Sequence, residues 1–135
     1  CRWPARCEVI SQNPYFILDG AQNIASVKLL KKAIGENFKY KRLILILGIS
    51  SDKDKRGMCR ELGSFADEII LTRADNPRAA PPEELAGYFN HKSMHITQGV
   101  KEANTQARHL ARKDDLILAC GSLFVAGELR NEILR

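Results

Sequence analysis

The chain contains 135 residues and carries a formal charge of +5 at pH 7, and a chain of this length is expected to form one compact domain. Hydrophobic residues make up 44% and charged residues 27% of it, which is ordinary for a water-soluble globular protein and excludes a largely disordered one. No apolar run approaches the ~20 residues that span a bilayer, so we expect no membrane-spanning segment. Because lysines alternate with acidic residues along most of the chain, the charge does not predict a nucleic-acid partner.

The cysteines show no metal-binding or redox spacing. Cys1, Cys7, Cys59 and Cys120 contain no C-x-x-C pair, and two of them lie in or beside apolar runs, which favours reduced thiols in a cytoplasmic protein. The chain begins "CRWPARCEV", with neither an initiator Met nor the layout of a secretory signal. We therefore expect it to be part of a longer protein.

Apolar runs and helical periodicities alternate along the sequence. The predicted elements in chain order are a strand over 15–18, a helix over 23–36, a strand over 42–48, a helix over 55–65, a strand over 67–72, a helix from Pro81 or Pro82 to about 90, a strand over 94–97, a helix over 99–113, a strand over 115–121, and a last helix, or an irregular turn leading into one, after it. The run "LILIL" at 43–47 is apolar throughout, as expected of a strand covered by helices on both faces. The alternation predicts an α/β fold with a doubly wound, mostly parallel sheet flanked by helices, a Rossmann-like arrangement.

Polar residues and glycines are concentrated directly after the apolar runs. They form four loops: "DGAQN" from Asp19, "GISSDKD" from Gly48, "RADNPR" from Arg73, and "GS" at Gly121. Ligands of doubly wound sheets bind outside the carboxyl ends of the strands. These loops are therefore the predicted site.

Three side chains in these loops each admit two interpretations. Asp19 suits either a ribose diol or a turn before Gly20. Arg78 could hold a carboxylate through its planar fork or could be a solvent-exposed loop residue. Ser122 could offer its hydroxyl and N–H to an anion, or it could cap the helix that follows.

Other catalytic patterns are weak or missing in the sequence. Neither G-x-G-x-x-G nor G-x-x-x-x-G-K-[ST] occurs, so the chain has no phosphate-binding loop of its own. Asp52 and Asp54 more often begin a helix than bind a metal when no further acid follows. His91, His95 and His109 are scattered, and we predict no metal site in this chain.

The motifs taken together identify a family. The segments "RWPARCEVI", "ILDGAQN", "GISSDKD", "ADNPRAAPPEEL" and "GSLFVAGELR" occur in this order and resemble the C-terminal domain of the folylpolyglutamate synthase/dihydrofolate synthase enzymes of the Mur ligase superfamily. The likeness covers essentially the whole chain, so it implies a single Mur ligase C-terminal domain over 1–135. Enzymes of this family join L-glutamate to a folate or dihydropteroate with ATP and Mg²⁺, through an acyl phosphate. The resemblance implies that the P-loop, the metal ligands and most of the folate site belong to an N-terminal ATPase domain of the same protein.

The resemblance also implies roles for individual residues. Arg6 falls where the family's Arg reaches the ATP phosphates, and Asp19 falls where an Asp holds the ATP ribose. Gln22 replaces a His that lies beside the incoming glutamate, and Ser122 stands where a Ser contacts that amino acid. Arg78 matches the Asp-Asn-Pro-Arg element that helps to bind amino acids in Mur relatives.

Departures from the family pattern affect the predicted glutamate site. The family's W-P-G-R-L-E and D-G-A-H-N-P have become "WPARCE" and "DGAQNI" here, so that Gln22 stands for His and Ile24 for Pro. Glutamine exchanges hydrogen bonds with a ligand but cannot become cationic. A weaker attraction for the glutamate carboxylates is expected.

The leading hypothesis is therefore the glutamate- and nucleotide-contacting domain of an ATP-dependent folate–glutamate amide ligase. In this hypothesis the domain supplies no catalytic group and is inactive alone, because it orients substrates against the rest of the enzyme. One alternative is another Mur-type amide ligase with a different acceptor or amino acid. A second is a non-catalytic α/β binding module that uses the surface around Gln22 for a partner protein.

Overall fold

A computed structural model describes residues 7–90 and 93–134. Its elements are β1 (Glu8–Ser11), β2 (Tyr15–Leu18), α1 (Ile24–Asn37), β3 (Leu43–Leu47), α2 (Lys55–Gly63), β4 (Glu68–Leu71), α3 (Pro82–Ala86), β5 (Met94–Ile96), α4 (Val100–Leu110), β6 (Leu116–Cys120) and α5 (Leu123–Ile133). Among the described residues, no helix is long and apolar enough to cross a membrane. Every predicted strand and helix is found, with bounds that differ mostly by one or two residues.

Within the described residues, the sheet has six strands in the order β1-β2-β6-β3-β4-β5. All neighbouring pairs are parallel except β1 and β2, which are antiparallel. This arrangement confirms the prediction of a doubly wound, mostly parallel sheet. The sequence reading missed β1, a four-residue edge strand, half-buried at every position, because it lacks the apolar run that identifies the inner strands.

The core consists of two apolar layers, one on each face of the sheet. Strand β3 shows the division, because Leu43, Leu45 and Leu47 face one layer and Ile44 and Ile46 face the other. This is the two-residue period of a strand. Helices α1, α2 and α3 cover the leucine side, and α4 and α5 cover the isoleucine side.

Helix α1 begins and ends as the sequence predicts. The Asn23 side chain accepts a hydrogen bond from the Ser26 N–H at 2.8 Å, and the Ser26 hydroxyl accepts one from the Asn23 N–H, which completes a reciprocal cap. Val27, Leu30 and Ile34 are buried, as their helical spacing requires. Helix α3 ends at Ala86, with Gly87 as its C-cap, and is therefore shorter than the predicted helix, which runs to about residue 90.

The order of strands creates a switch point at the carboxyl end of β6. Strands β2 and β3 lead to helices on the leucine side, whereas β6 between them leads to α5 on the isoleucine side. Connections that diverge in this way leave a crevice between neighbouring loops. The residues after β6 therefore occupy the position where this fold binds ligands.

Candidate functional site

The loops predicted from the sequence meet at the carboxyl edge of the sheet. The Gly121 N–H donates to the Ala21 carbonyl at 2.8 Å, which joins the loop after β6 to the loop after β2. The Ser51 N–H donates to the Arg78 carbonyl at 2.6 Å, which joins the loop after β3 to the loop after β4. These hydrogen bonds hold the four polar loops as two adjacent pairs.

Gly121 permits the closest approach in the site. Its φ is +103°, and a Cβ there would lie 2.5 Å from the Gly48 carbonyl oxygen. Only glycine adopts this backbone conformation without strain. The turn at Gly121 directs the chain from β6 into α5 and places Ser122 at the first turn of that helix.

Asp19 holds its own loop together. Its Oδ1 accepts a hydrogen bond from the Ala21 N–H at 2.7 Å, and its Oδ2 accepts one from the Cys7 N–H at 2.8 Å. The first bond closes the turn after β2, and the second ties that turn to the residue preceding β1. A carboxylate has about four acceptor sites, so these two bonds leave room for a ligand's hydroxyl groups.

Gln22 and Ser122 lie on the two loops joined by the bond between Ala21 and Gly121. The Ser122 hydroxyl accepts a hydrogen bond from the Phe124 N–H at 3.0 Å, so it caps α5 and still has its own proton to donate. The half-buried Gln22 carboxamide makes no hydrogen bond with the described residues. One donor hydroxyl, on a buried side chain, and one free amide therefore lie on adjacent loops.

Arg78 lies on the neighbouring pair of loops, and its side chain already has an ion-pair partner. Its guanidinium contacts the Asp52 carboxylate at 3.3 Å, with 65% and 50% of the two side chains exposed. A hydrogen bond from Asp52's own backbone, together with the charge of Arg78, holds the pKa of Asp52 below its usual range. An ion pair this exposed is weak, so an incoming carboxylate can compete for Arg78.

Two further residues of the predicted loops were given no role of their own from the sequence. Ser50 and Asn76 line a narrow crevice together with Ser122. The Asn76 side chain accepts a hydrogen bond from the Arg78 N–H at 2.9 Å, and an Asn before Pro is a known signal for such a turn. Asn76 could have been found from its sequence, whereas Ser50 becomes relevant only through its place beside β6.

The predicted ATP ligand Arg6, and the residues considered and not predicted as metal ligands, lie outside the described part of the chain or have structural roles. Arg6 and His91 fall outside the described residues. The Asp54 side chain accepts a hydrogen bond from the Gly57 N–H at 3.0 Å, so it caps α2. His95 lies in β5, at the end of the sheet farthest from β1, and contacts Glu68 at 3.1 Å. Within the described ranges, no group of three or more His, Cys, Asp or Glu residues could hold a metal ion.

Comparison with known proteins assigns the family. The model of the family "Mur ligase, glutamate ligase domain" matches residues 5–123. The chain belongs to this family. The match confirms the resemblance drawn from the sequence motifs, and it includes Arg6 and every loop of the candidate site.

Individual relatives and a solved structure agree with this assignment. The chain is 32% identical over 136 aligned residues to a probable bifunctional folylpolyglutamate synthase/dihydropteroate synthase of Halobacterium salinarum, covering 98% of this chain and 16% of the relative. It is 33% identical to UDP-N-acetylmuramoyl-L-alanyl-D-glutamate–2,6-diaminopimelate ligase 1 of Clostridium acetobutylicum, covering 87% of this chain and 26% of the relative. The crystal structure of a bifunctional folylpolyglutamate synthase/dihydrofolate synthase with Mn, AMPPNP and L-glutamate bound superposes with a TM-score of 0.86 at 28% identity, over 97% of this chain and 32% of that one. The chain thus spans less than a third of the length of each of these proteins.

Proposed function

We propose that this chain is the amino-acid- and nucleotide-contacting domain, over residues 1–135, of an ATP-dependent ligase that joins L-glutamate to a folate or dihydropteroate. The main observation in support is the backbone hydrogen bond from Gly121 to Ala21, which joins the loops that contain Gln22 and Ser122 at the switch point. The similarity to a folate ligase with AMPPNP and L-glutamate bound supports the choice of ligands.

In this proposal Arg6 and Asp19 contact ATP. Asp19 retains free acceptor sites beside its two backbone bonds, which suits a ribose diol. The described residues do not fit a Mg²⁺ site, because Asp52 pairs with Arg78 and Asp54 caps α2. We assign the metal ligands, with the phosphate-binding loop, to another domain of the same protein.

The amino acid would contact Gln22, Ser122 and Arg78. Arg78 offers a planar fork to a carboxylate, Ser122 offers its hydroxyl proton, and Gln22 offers the amide donors that replace a cationic His. None of the three is a base poised to take a proton from the amine. The domain therefore contributes orientation, which accounts for much of the rate when two substrates must meet, and alone it is expected to be inactive.

The experiment measures phosphate release by the full-length protein with ATP, Mg²⁺ and L-glutamate. Dihydropteroate, a tetrahydrofolate and no pterin form the three arms. Release that depends on a pterin supports the proposal, and we expect Gln22→His to lower the KM for glutamate several-fold by adding positive charge. The matched control is Gln12→His, since Gln12 is exposed in the turn between β1 and β2, away from the loops of the proposed site.

A second candidate, another Mur-type ligase, is favoured by one observation. The similarity to the diaminopimelate ligase of C. acetobutylicum is as high as that to the folate enzymes, and the Asn76-Pro77-Arg78 loop belongs to the proposed amino-acid site. Turnover with a UDP-sugar peptide and diaminopimelate, with none for any pterin, would establish this candidate. If neither acceptor is used and ATP and glutamate leave the amide resonances around Gln22 unchanged, both ligase proposals fail.

A further inference from the structure

A second concave surface lies at the opposite edge of the sheet, at the amino ends of the parallel strands. We call it the amino-edge cleft. It has a cavity volume of about 450 Å³ and is lined by Asn13, Tyr15, Lys39, Tyr40, Lys41, Lys113, Asp114 and Asp115. The candidate site described above uses none of these residues.

Backbone hydrogen bonds hold the segments that form this cleft in place. The Lys41 N–H donates to the Asp114 carbonyl at 2.8 Å, which fastens the connection before β3 to the turn before β6. The Tyr15 N–H donates to the Asp115 carbonyl at 3.2 Å, which adds the start of β2. The backbone of the cleft is therefore preformed, and a ligand would have to order only the exposed side chains.

The carboxylates within the cleft do not balance its lysines. The structure gives Lys39 and Lys113 no carboxylate partner among the described residues. Lys41 lies 3.7 Å from Asp114, with 77% and 51% of the side chains exposed, so this pair is weak. The lining of the cleft thus gathers three ammonium groups against one exposed carboxylate; Asp67, which lies beyond the lining near Tyr40, accepts a hydrogen bond from the Leu43 N–H at 2.7 Å.

The remaining carboxylate, that of Asp115, is already satisfied. It lies 2.9 Å from the Arg42 guanidinium, with 3% of its side chain exposed, and it accepts a hydrogen bond from the Arg112 N–H at 2.8 Å. Burial alone would raise the pKa of Asp115, but these hydrogen bonds and the charge of Arg42 outweigh burial and lower it. Asp115 therefore neutralises Arg42 rather than the lysines.

Aromatic residues form part of the wall. The Tyr15 ring packs edge-on against Phe38, with 5.0 Å between the ring centroids, which fixes its position. Burial and the charge of Asp67 raise the pKa of Tyr40, so its phenol stays protonated and can act as a donor. The uncommitted groups of the cleft are mostly hydrogen-bond donors.

We propose that the amino-edge cleft binds a small multivalent anion of the phosphate class, such as a free oligophosphate or the phosphates of a nucleotide. Lysine ammoniums are compact point charges that bind phosphate through charge, and a multivalent anion can contact several of them at once. The proposal does not depend on the function assigned to the other edge of the sheet.

The test titrates the ¹⁵N-labelled 135-residue chain with tripolyphosphate, ATP and citrate at constant ionic strength. Tripolyphosphate should shift the amide resonances of 39–41 and 113–115. Lys39→Gln/Lys113→Gln should weaken its binding about tenfold, which corresponds to about 1.4 kcal/mol, because two exposed charge contacts are lost. Equal affinities for ATP and tripolyphosphate would identify an oligophosphate site, and tighter ATP binding with shifts at Tyr40 would identify a nucleotide site.

The matched control is Lys28→Gln/Lys32→Gln, which removes the same charge from the exposed face of α1, outside the cleft. Equal weakening by both double variants would overturn the proposal, because it would show attraction to overall charge alone. Citrate binding as tightly as tripolyphosphate would also contradict it. If the lysines only neutralise the carboxyl ends of α1 and α4, the cleft variant would lower the unfolding midpoint without changing tripolyphosphate binding, which equally overturns the proposal.

Discussion

Replacing Asp19 by Asn tests whether this carboxylate maintains the geometry of the site. The carboxylate accepts N–H bonds from Cys7 and Ala21 at 2.8 Å and 2.7 Å. Asparagine keeps one acceptor oxygen of similar geometry but presents an NH₂ group to the other donor. One charge-assisted hydrogen bond is lost, and such bonds contribute about 1.5–3 kcal/mol.

Because Asp19 is only half-buried, water satisfies part of the donor left behind, and the lower end of the range applies. We expect Asp19→Asn to lower the free energy of unfolding by about 1.5 kcal/mol and Asp19→Ala, which loses both bonds, by about 3 kcal/mol. Urea unfolding followed by far-ultraviolet circular dichroism measures both values, provided that the m-value is unchanged.

The control is Asp75→Asn, which makes the same chemical change at the same edge of the sheet. The Asp75 side chain is exposed and makes no hydrogen bond or ion pair with the described residues, so its loss should change stability by less than about 0.5 kcal/mol. If Asp19→Asn were as stable as the wild type, the two hydrogen bonds would not hold the loop. If the full-length Asp19→Asn protein nevertheless lost nucleotide binding, Asp19 would act by contacting the nucleotide and not by holding the loop.

Three further predictions concern other parts of the fold. Gly121→Ala should destabilise the protein by about 3 kcal/mol or more, because the added Cβ would meet the neighbouring loop and the φ of this residue is positive. The control Gly127→Ala lies in open space within α5 and should stabilise the protein by about 0.5–1 kcal/mol. Equal effects of the two substitutions on the thermal midpoint would contradict the role of Gly121. Burial would raise the pKa of Asp115, but the hydrogen bonds and charge of Arg42 lower it, so its contribution to stability is complete above the unfolded-state pKa of about 4 and is lost as the pH falls through the lower folded-state pKa. Asp115→Asn should flatten this acid part of the curve of unfolding free energy against pH, and an unaltered curve would refute the linkage. Burial raises the pKa of the Cys59 thiol to about 12, so iodoacetamide at pH 8 should leave Cys59 unmodified in the folded chain. Mass spectrometry of peptides measures the extent of modification. Modification of the folded chain at the rate found in urea would contradict the burial of Cys59.

The sequence predicted most of the elements because the strong signals are local. The run at 43–47 is apolar throughout, and α1 carries both its helical periodicity and its cap at Asn23 in adjacent residues. These signals depend on side-chain spacing and on hydrogen bonds within a few positions. Strand β1 carries no such signal, because it is an edge strand that forms only by pairing with β2.

The candidate site divides in the same way. That polar loops follow the strands, and that Asp19, Gln22, Arg78 and Ser122 lie in them, could be read from the sequence and the family resemblance. The sequence could not show which of these loops touch each other. The insertion of β6 between β2 and β3 determines that Gln22 and Ser122 lie on adjacent loops.

The sequence by itself determined the fold class, the order of the elements and the residues that follow each strand, since each depends on patterns within one segment. Only the tertiary structure decided that Asp19 holds Cys7, that Arg78 is already paired with Asp52, and that lysines gather at the amino edge. The physical reason is that these contacts join segments distant in the chain. Their partners are set by strand order and by the packing of helices on the two faces, which no local pattern records.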